Sequence, residues 1–239
     1  MPCILHIETS TTVCSVALSL DGEVRFRKES LEGMSHAALL GVFAEEAMQA
    51  AKGEGLQPDA VAVSSGPGSY TGLRIGVSFA KGLCFGQGLP LIAVPTLELL
   101  AHTALQRHIA DSGALYCAML DARRMEVYSA LYDALLHPVR DTVAEIITEE
   151  SYRELLKTSE VCFFGNGAAK CKALIDSPNA LFVEDIVPLA NNMVALAERR
   201  FAEGAFEDVA YFEPFYLKEF QATVAKNKVL GVDLSKPKA

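Results

Sequence analysis

The chain has 239 residues, of which 51% are hydrophobic and 21% charged, the composition of a globular protein. Its net charge of −9 at pH 7 argues against a chain that binds RNA alone, because phosphate binding needs concentrated positive charge. No apolar run reaches the roughly 18 residues of a transmembrane helix, and the N-terminus does not resemble a signal peptide. We therefore expect a cytoplasmic protein without membrane contact.

The first half of the chain predicts three strands followed by alternating helices and strands. Asp21-Gly22, between two apolar runs, is a strong hairpin signal. Ser35 is a candidate N-cap for the first helix. The predicted strands are 3–8, 13–20, 24–30, 60–65 and 91–94, and the predicted helices are 35–51, 73–87 and 97–107. Their order is βββαβαβα.

The second half begins in the same way. Glu8 ends the first strand and lies six residues before Cys14, whereas Asp121 ends an equivalent strand and lies six residues before Val127. The predicted strands are 115–121, 126–132, 161–164 and 181–183, and the predicted helices are 152–156 and 189–201. This repetition predicts two related lobes of an α/β protein. The duplicated βββαβαβα unit resembles the ribonuclease H-like, actin-like (ASKHA) two-lobe fold.

The predicted lobes are 1–110 and 111–216, and a basic tail, 217–239, follows them. The tail carries five lysines and two acids, a net charge of +3, which leaves −12 on the rest of the chain. Two interpretations stay open. The tail packs back on the first lobe, or it is solvated and partly disordered.

The chain carries no recognisable catalytic or metal-binding pattern. Kinases of the actin-like superfamily hold phosphate with a glycine-bearing hairpin that begins with Asp, whereas the segments 8–12 and 121–124 contain no glycine. His102 and His108 are six residues apart, nearly opposite on a helix, which disfavours a shared metal. The six cysteines include no CxxC pair. We expect no catalytic residue, metal or cofactor in this chain.

Two segments are candidates for contact with an anion or a partner. Gly68 and Ser69 lie in a glycine-rich loop before a helix, where backbone N–H groups can hold an anion, although a tight turn explains the glycines equally well. Arg123 and Arg124 follow the second acid. As strand neighbours they should point to opposite faces, so only one would face the cleft between the lobes, and a plain surface role stays open.

Small residues recur at every fourth position of the helix 73–87 and predict a smooth groove for close helix packing. The neighbouring helix is either part of this chain or part of another molecule. For the second case, the predicted partner interface is His36, Leu39, Leu40, Phe43, Gly72, Gly76, Phe79, Ala80 and Leu83. His36 has a simpler interpretation, as a residue that caps the first helix or lies at the edge of the core.

Several segments resemble the TsaB family, whose members are also called YeaZ-type proteins. The most specific is SSGPGSYTGLRIG at 64–76, and DARRMEVY at 121–128 is moderately specific. Weaker matches are ILHIETS at 4–10, Ser35-His36, PLIAVPTLEL at 90–99, GNGA at 165–168 and EPFYL at 213–217. The resemblance therefore spans the whole chain. The family usually has Asp at the position of Glu8.

The resemblance implies a non-catalytic scaffold and activator of the bacterial complex that transfers threonylcarbamoyl to the adenosine beside the tRNA anticodon. The implied partners are a TsaD-type catalytic paralogue, a TsaE-type ATPase and, through the complex, tRNA. ATP and metal are expected on those partner subunits, and the free chain is a candidate homodimer. The alternative is an autonomous enzyme of the same fold, either a small-molecule kinase or a metallopeptidase.

Overall fold

The computed structural model describes residues 2–31, 33, 36–110 and 113–218. The predicted N-cap Ser35 and residues 219–239 of the predicted tail lie outside these ranges. Within them, the strands are β1 (Cys3–Glu8), β2 (Cys14–Leu20), β3 (Glu23–Ser30), β4 (Ala60–Gly66), β5 (Leu91–Pro95), β6 (Leu115–Asp121), β7 (Glu126–Tyr132), β8 (Pro138–Ile146), β9 (Val161–Phe164) and β10 (Ala180–Val183). The helices are α1 (His36–Gly53), α2 (Tyr70–Gln87), α3 (Thr96–Gln106), α4 (Arg153–Leu156) and α5 (Val194–Glu203).

The strands form two five-stranded sheets with the same topology. The first has the order β3-β2-β1-β4-β5 and the second β10-β9-β6-β7-β8. In each sheet an antiparallel meander is followed by parallel strands, and the central strand ends in an acid, Glu8 opposite Ser15 in one and Asp121 opposite Val127 in the other. The predicted duplicated α/β fold is confirmed.

Local sequence explains where the strands turn. Asp21 and Gly22 both adopt positive φ, 52° and 81°, as the predicted hairpin turn requires. β1 and β4 are buried along their whole length, as expected for apolar strands inside a sheet that is covered on both faces. β3 is a largely exposed edge strand rich in charge, which protects the sheet from edge-to-edge pairing.

The second half departs from its prediction in three places. β8 was not predicted, because Arg140, Asp141 and Glu145 interrupt the alternation of apolar and polar residues that is typical of a strand. Between β9 and β10 a short 3-10 helix, Ala169–Cys171, stands where the first half has the long helix α2. The predicted helix 189–201 begins later, since Ala190–Met193 form a 3-10 helix before α5 starts at Val194.

The last helix of each half packs partly on the sheet of the other half. α1 and α2 cover one face of the first sheet. The opposite face is covered from the far end of the sequence, by Met193, Leu196 and Ala197. In return, α3 places Leu97 and Leu100 on the second sheet. The predicted second lobe, 111–216, thus completes the core of the first.

Ion pairs join the two exchanged helices. Glu98 on α3 accepts hydrogen bonds from two arginines of α5, Arg199 at 2.8 Å and Arg200 at 2.6 Å. The Asn192 amide donates to the Thr103 hydroxyl at 3.2 Å. The two sheets are therefore held together by polar contacts as well as by apolar packing.

After α5 the chain returns across the first lobe as a strap, residues 205–218. Glu207 donates its N–H to the Leu91 carbonyl at 2.9 Å, which extends the sheet edge. Lys81 on α2 donates to the Phe212 carbonyl at 2.7 Å. Close to its end, the strap reaches the glycine-rich loop that precedes α2.

None of the helices in the described ranges combines the length and the hydropathy needed to cross a membrane.

Candidate functional site

The first hairpin carries a buried acid where β1 ends. Glu8 is 0% exposed, and its Oε1 accepts hydrogen bonds from both the N–H and the hydroxyl of Ser10, each at 2.5 Å. Burial raises the pKa of the Glu8 carboxyl, although the bonds from Ser10 oppose this shift. Its Oε2 has no hydrogen-bond partner among the described residues. This carboxyl is closed off from solvent.

Helix α2 and the loop before it close directly over the first hairpin. A Cβ added to Gly68 would lie 2.2 Å from the Ser10 carbonyl oxygen, and one added to Gly72 would lie 2.1 Å from the Thr9 carbonyl oxygen. At Gly76 the added Cβ would meet Thr9 Oγ1 at 2.1 Å. Gly68 and Gly72 are required because the backbone of the hairpin touches them, and Gly76 because the Thr9 side chain does.

This contact answers the question about the small-residue groove. Gly72, Gly76 and Ala80 face the interior of this chain, and Ala80 is 0% exposed. Three more predicted interface residues are also buried: His36, whose Nε2 donates to the Val13 carbonyl at 3.0 Å, Leu40 and Phe43. These six residues cannot present the surface that was predicted for them, because the close neighbour is this chain's own hairpin and sheet. Leu39, Phe79 and Leu83 are half-buried.

A different set of residues faces outward on α1 and α2. Gly41 and Gly82 have open space where a Cβ would stand, and Val42 and Phe85 are 49% and 86% exposed. We call this surface the outer helix face. It is apolar and contains small residues, so another helix can approach closely. The half-buried Leu39, Phe79 and Leu83 lie on the same two helices. The sequence analysis missed this face, because the regular spacing of the buried small residues on α2 was the stronger indication of close packing.

The glycine-rich loop has the geometry of a tight turn. The Ser69 hydroxyl accepts the Gly72 N–H at 3.2 Å and so caps α2, and the Ser69 N–H donates to the Ser10 carbonyl at 2.6 Å. Gly66 has φ of 111°, and a Cβ there would meet the Phe215 carbonyl of the strap at 2.8 Å. The groups of Ser69 are thus used inside the chain, and an anion at Gly68 and Ser69 stays a prediction.

The second hairpin differs from the prediction in the placement of its arginines. Arg123 and Arg124 have φ of 74° and 52°, so both lie in the left-handed turn and not on opposite faces of a strand. Asp121 accepts the Arg123 N–H at 2.9 Å and forms an ion pair with Lys170. Both arginines are exposed, and within the described ranges neither guanidinium group forms an ion pair. Contact of either arginine with an anion or a partner stays a prediction.

The cysteines lie in apolar surroundings. All six are buried and free. Burial raises the pKa of the Cys14 and Cys84 thiols to about 11 and that of the Cys117 thiol to about 12, so these groups are neutral and weakly nucleophilic at pH 7. In the part of the chain that the structure covers, no three His, Cys, Asp or Glu residues are grouped as metal ligands.

A polar network under the second sheet could not be predicted from the sequence. Arg140 donates to Glu145 at 2.7 Å and to the Ser129 hydroxyl at 2.9 Å, and the Tyr152 hydroxyl also contacts Glu145. Burial alone would raise the pKa of Glu145, but hydrogen bonds from Ser129 and Tyr152 and the charge of Arg140 lower it. The network fixes β8 against β7, and its members share no local motif.

Comparison with known proteins gives consistent matches along the chain. The family model for "TsaD: tRNA N6-adenosine threonylcarbamoyltransferase" matches residues 31–226. The tRNA threonylcarbamoyladenosine biosynthesis protein TsaB of Escherichia coli K12 is 33% identical over 236 residues, which cover 95% of this chain and 98% of that protein. The TsaB of Haemophilus influenzae is 36% identical over 160 residues, 66% of this chain and 63% of that protein.

The structural comparison agrees. The structure of YeaZ from Pseudomonas aeruginosa is 26% identical, with a TM-score of 0.76, and the match covers 91% of this chain and all of that one. Similarity extends over nearly the full length of a TsaB protein, and the fold matches that of a YeaZ structure. The chain belongs to the TsaB, or YeaZ-type, family, within the wider family that the TsaD model describes.

Proposed function

We propose that this chain is a binding subunit in tRNA threonylcarbamoyladenosine biosynthesis that docks on a TsaD-type catalytic paralogue and performs no catalysis by itself. Its curated relatives carry the name of that pathway, and the role in the pathway rests on this family membership. The docking surface and the lack of intrinsic catalysis are argued from the geometry. The complex would work in the cytoplasm, where its tRNA substrate is found.

The outer helix face is the observation that carries the docking proposal. A single exposed apolar side chain is ordinary on a protein surface, but a continuous apolar patch marks an interaction site. Here Val42 on α1 and Phe85 on α2 are exposed, the half-buried Phe79 and Leu83 also lie on α2, and the open position at Gly82 admits a close backbone. A helix pair from a paralogue with the same fold would bury this patch against its own equivalent.

The state of the two hairpin acids supports a subunit without its own phosphotransfer. Glu8 is enclosed and holds its proton more tightly than an exposed carboxyl, so it is poorly suited to direct a metal ion toward a bound nucleotide. Asp121 is neutralised by Lys170. We therefore assign ATP and metal chemistry to the TsaD-type and TsaE-type partners, and contact with tRNA to the assembled complex.

Because the outer helix face would bind a paralogue of the same fold, it would also allow the free chain to pair with itself, so homodimer and partner complex should compete. The exposed side chains of Arg123 and Arg124 are proposed to contact an anion or a partner protein in the complex.

Co-expression with a TsaD-type chain, followed by size-exclusion chromatography, tests the docking surface. Gly82→Arg places charge and bulk on the outer helix face at a position with open space, so the protein should fold and lose its partner. Ala173→Arg, at an exposed small residue of the second lobe, is the matched control and should retain it. Co-elution of the Gly82→Arg variant with the partner would exclude this face. ATP turnover by the purified chain would instead support the kinase alternative.

A further inference from the structure

The end of the strap carries an aromatic pair beside the glycine-rich loop. The Phe215 N–H donates to the Ser65 carbonyl at 2.7 Å, which fixes the strap at the end of β4. The ring of the next residue, Tyr216, packs on the ring of Tyr70 at the start of α2, with centroids 4.7 Å apart. Tyr216 remains 36% exposed and Phe215 48% exposed. The strap therefore holds two aromatic residues at the surface on a fixed backbone.

Two residues later the strap reaches the second hairpin. Lys218 forms an ion pair with Glu126, the first residue of β7. Burial raises the pKa of the Tyr128 hydroxyl, and the positive charges of Lys218 and Arg123 oppose this shift, so both cations lie near this ring. A half-buried tyrosine of the second lobe is thus joined by the strap to the aromatic pair of the first lobe.

An exposed arginine lies on the first-lobe side. Arg74 follows Tyr70 by one turn of α2, and its charge opposes the rise in the pKa of Tyr216 that burial causes. Within the described ranges, neither Arg74 nor Arg123 forms an ion pair. We call one surface the aromatic–basic patch, formed by Tyr70, Arg74, Arg123, Tyr128, Tyr216 and Lys218.

The aromatic–basic patch is positive although the chain is acidic. Its ion pair, Lys218 with Glu126, is neutral. Beside this pair lie three exposed arginines and one exposed acid, namely Arg74, Arg123, Arg124 and Glu213. An anionic ligand is attracted to this patch, whereas the chain as a whole, with a net charge of −9, repels it.

The turn that carries the two arginines of the second hairpin is held by a lysine. Lys170 donates to the carbonyls of Arg124 and Glu126 at 2.8 and 2.6 Å. The GNGA turn, 165–168, brings this lysine close, because a Cβ on Gly165 would lie 2.3 Å from a backbone carbonyl oxygen of β6. The arginine side chains are thus mounted on a backbone that is already ordered, which lowers the entropy lost when they bind a ligand.

Aromatic rings next to unpaired arginines form the kind of surface with which proteins hold single-stranded RNA. Unpaired bases stack on Tyr and Phe rings, and Arg and Lys side chains contact the phosphates. Tyr and Arg are also common in protein interfaces, but the cores of those interfaces are depleted of charge. The outer helix face has that apolar character, whereas the aromatic–basic patch does not.

We propose that the aromatic–basic patch binds single-stranded RNA, with a base stacked on Tyr216 and phosphates held by Arg74 and Arg123. An unpaired loop of the tRNA is the corresponding segment of the natural substrate, and this identification alone rests on the proposed function. The net charge of −9 weakens RNA binding by the free chain, so strong binding needs the assembled complex.

Ultraviolet cross-linking of the free chain to an oligouridylate of about ten nucleotides, followed by mass spectrometry, tests the patch without a partner. Salt at about 0.15 M, where the Debye length is about 8 Å, screens repulsion from the acidic remainder of the chain. Cross-links should lie on the peptide that carries Tyr216, and Arg123→Gln should lower their yield several-fold. Arg25→Gln removes an exposed charge from the edge strand β3 and should leave the yield unchanged. Cross-links that avoid the patch, or that Arg123→Gln does not affect, would overturn the proposal.

Two variants of Tyr216 test stacking in a complex of this chain with a TsaD-type partner. Tyr216→Leu removes the flat ring and should weaken tRNA binding by about 5- to 100-fold, whereas Tyr216→Phe keeps the ring and should bind as the natural protein does. Arg74→Gln leaves the strap in place and should weaken binding and reduce its dependence on salt. Fluorescence anisotropy with labelled tRNA measures all three. The proposal fails if Tyr216→Leu and Arg74→Gln bind tRNA as tightly as the natural protein.

Size-exclusion chromatography separates this proposal from the docking proposal. Each variant should still co-elute with the partner, because the outer helix face is unchanged. Loss of the partner by these variants would assign the patch to a protein contact and contradict RNA binding. If even the natural chain does not co-elute, the docking proposal fails, whereas cross-linking of the free chain still decides whether the patch binds RNA.

Discussion

The same substitution at two glycines of α2 should change stability in opposite directions. Gly76→Ala introduces a methyl group 2.1 Å from Thr9 Oγ1, whereas Gly82→Ala introduces one into open space. Both changes gain the helix propensity of alanine, about 0.5–1 kcal/mol. Gly82→Ala has no opposing contribution and should therefore stabilise the protein by about that amount.

At Gly76 the opposing contributions are larger. Thr9 Oγ1 is buried and donates to the Gly72 carbonyl at 2.8 Å, and the Thr9 Cβ and Cγ2 lie 3.3 and 3.4 Å from the added carbon, so rotating the side chain gives little relief. Losing that hydrogen bond in a buried site costs about 1–3 kcal/mol, and overpacking costs about 1–3 kcal/mol more. Gly76→Ala should thus destabilise by about 1–5 kcal/mol, a large part of a typical stability of about 5–15 kcal/mol.

Urea unfolding followed by circular dichroism, at a concentration where the chain is monomeric, measures both variants. The unfolding midpoint should move to higher urea for Gly82→Ala and to lower urea for Gly76→Ala, with unchanged slopes. If Gly76→Ala were at least as stable as the natural protein and lost only its partner, the glycine would face another molecule. The intramolecular packing described above would then be wrong.

Other contacts give shorter predictions. Glu98→Ala should destabilise by about 2–3 kcal/mol in urea unfolding, because it leaves the largely buried Arg200 unpaired; an unchanged midpoint would mean that the ion pair contributes nothing. The pKa of the Glu8 carboxyl in the folded protein lies above its ordinary value of 4.5. The stability that this group contributes is therefore complete below pH 4.5 and is lost as pH rises through the folded-state pKa. In unfolding measurements over this pH range, Glu8→Gln should show a smaller loss of stability with rising pH than the natural protein. Lys81→Met should release the strap from α2 and speed proteolytic cleavage near Phe212, and an unchanged digestion pattern would contradict that anchoring role.

Much of the fold could be predicted because its signals are local. Apolar runs ending in Glu8 and Asp121 gave the central strands and the duplication, and Asp21-Gly22 gave a turn of the predicted kind. β8 escaped detection because its inward residue Arg140 is polar and is satisfied by partners from distant segments. A strand that buries a charged network has no apolar alternation to detect.

The candidate site was less predictable, since a stripe of small residues indicates a close neighbour but not which one. Gly72 and Gly76 were predicted to pack closely against another helix, whereas the structure places the first hairpin of the same chain against them. Lys170 had no signal of its own, because the oxygen atoms around it come mostly from the backbone. The GNGA turn at 165–168 was visible in the sequence, but its effect on Lys170, two residues after it, was not.

The exchange of α3 and α5 between the sheets has a consequence for synthesis on the ribosome. When β1, β4 and β5 have emerged, the face of their sheet that carries Ile4 and Ile92 is only partly covered, because Leu99 of α3 reaches it whereas Met193, Leu196 and Ala197 are made much later. The core of the first lobe can therefore be completed only when almost the whole chain has been made, and until then the nascent lobe exposes apolar surface that is prone to aggregation. A gene fragment that stops after α3 should yield insoluble protein, whereas the two fragments made together in one cell have the means to complete each other.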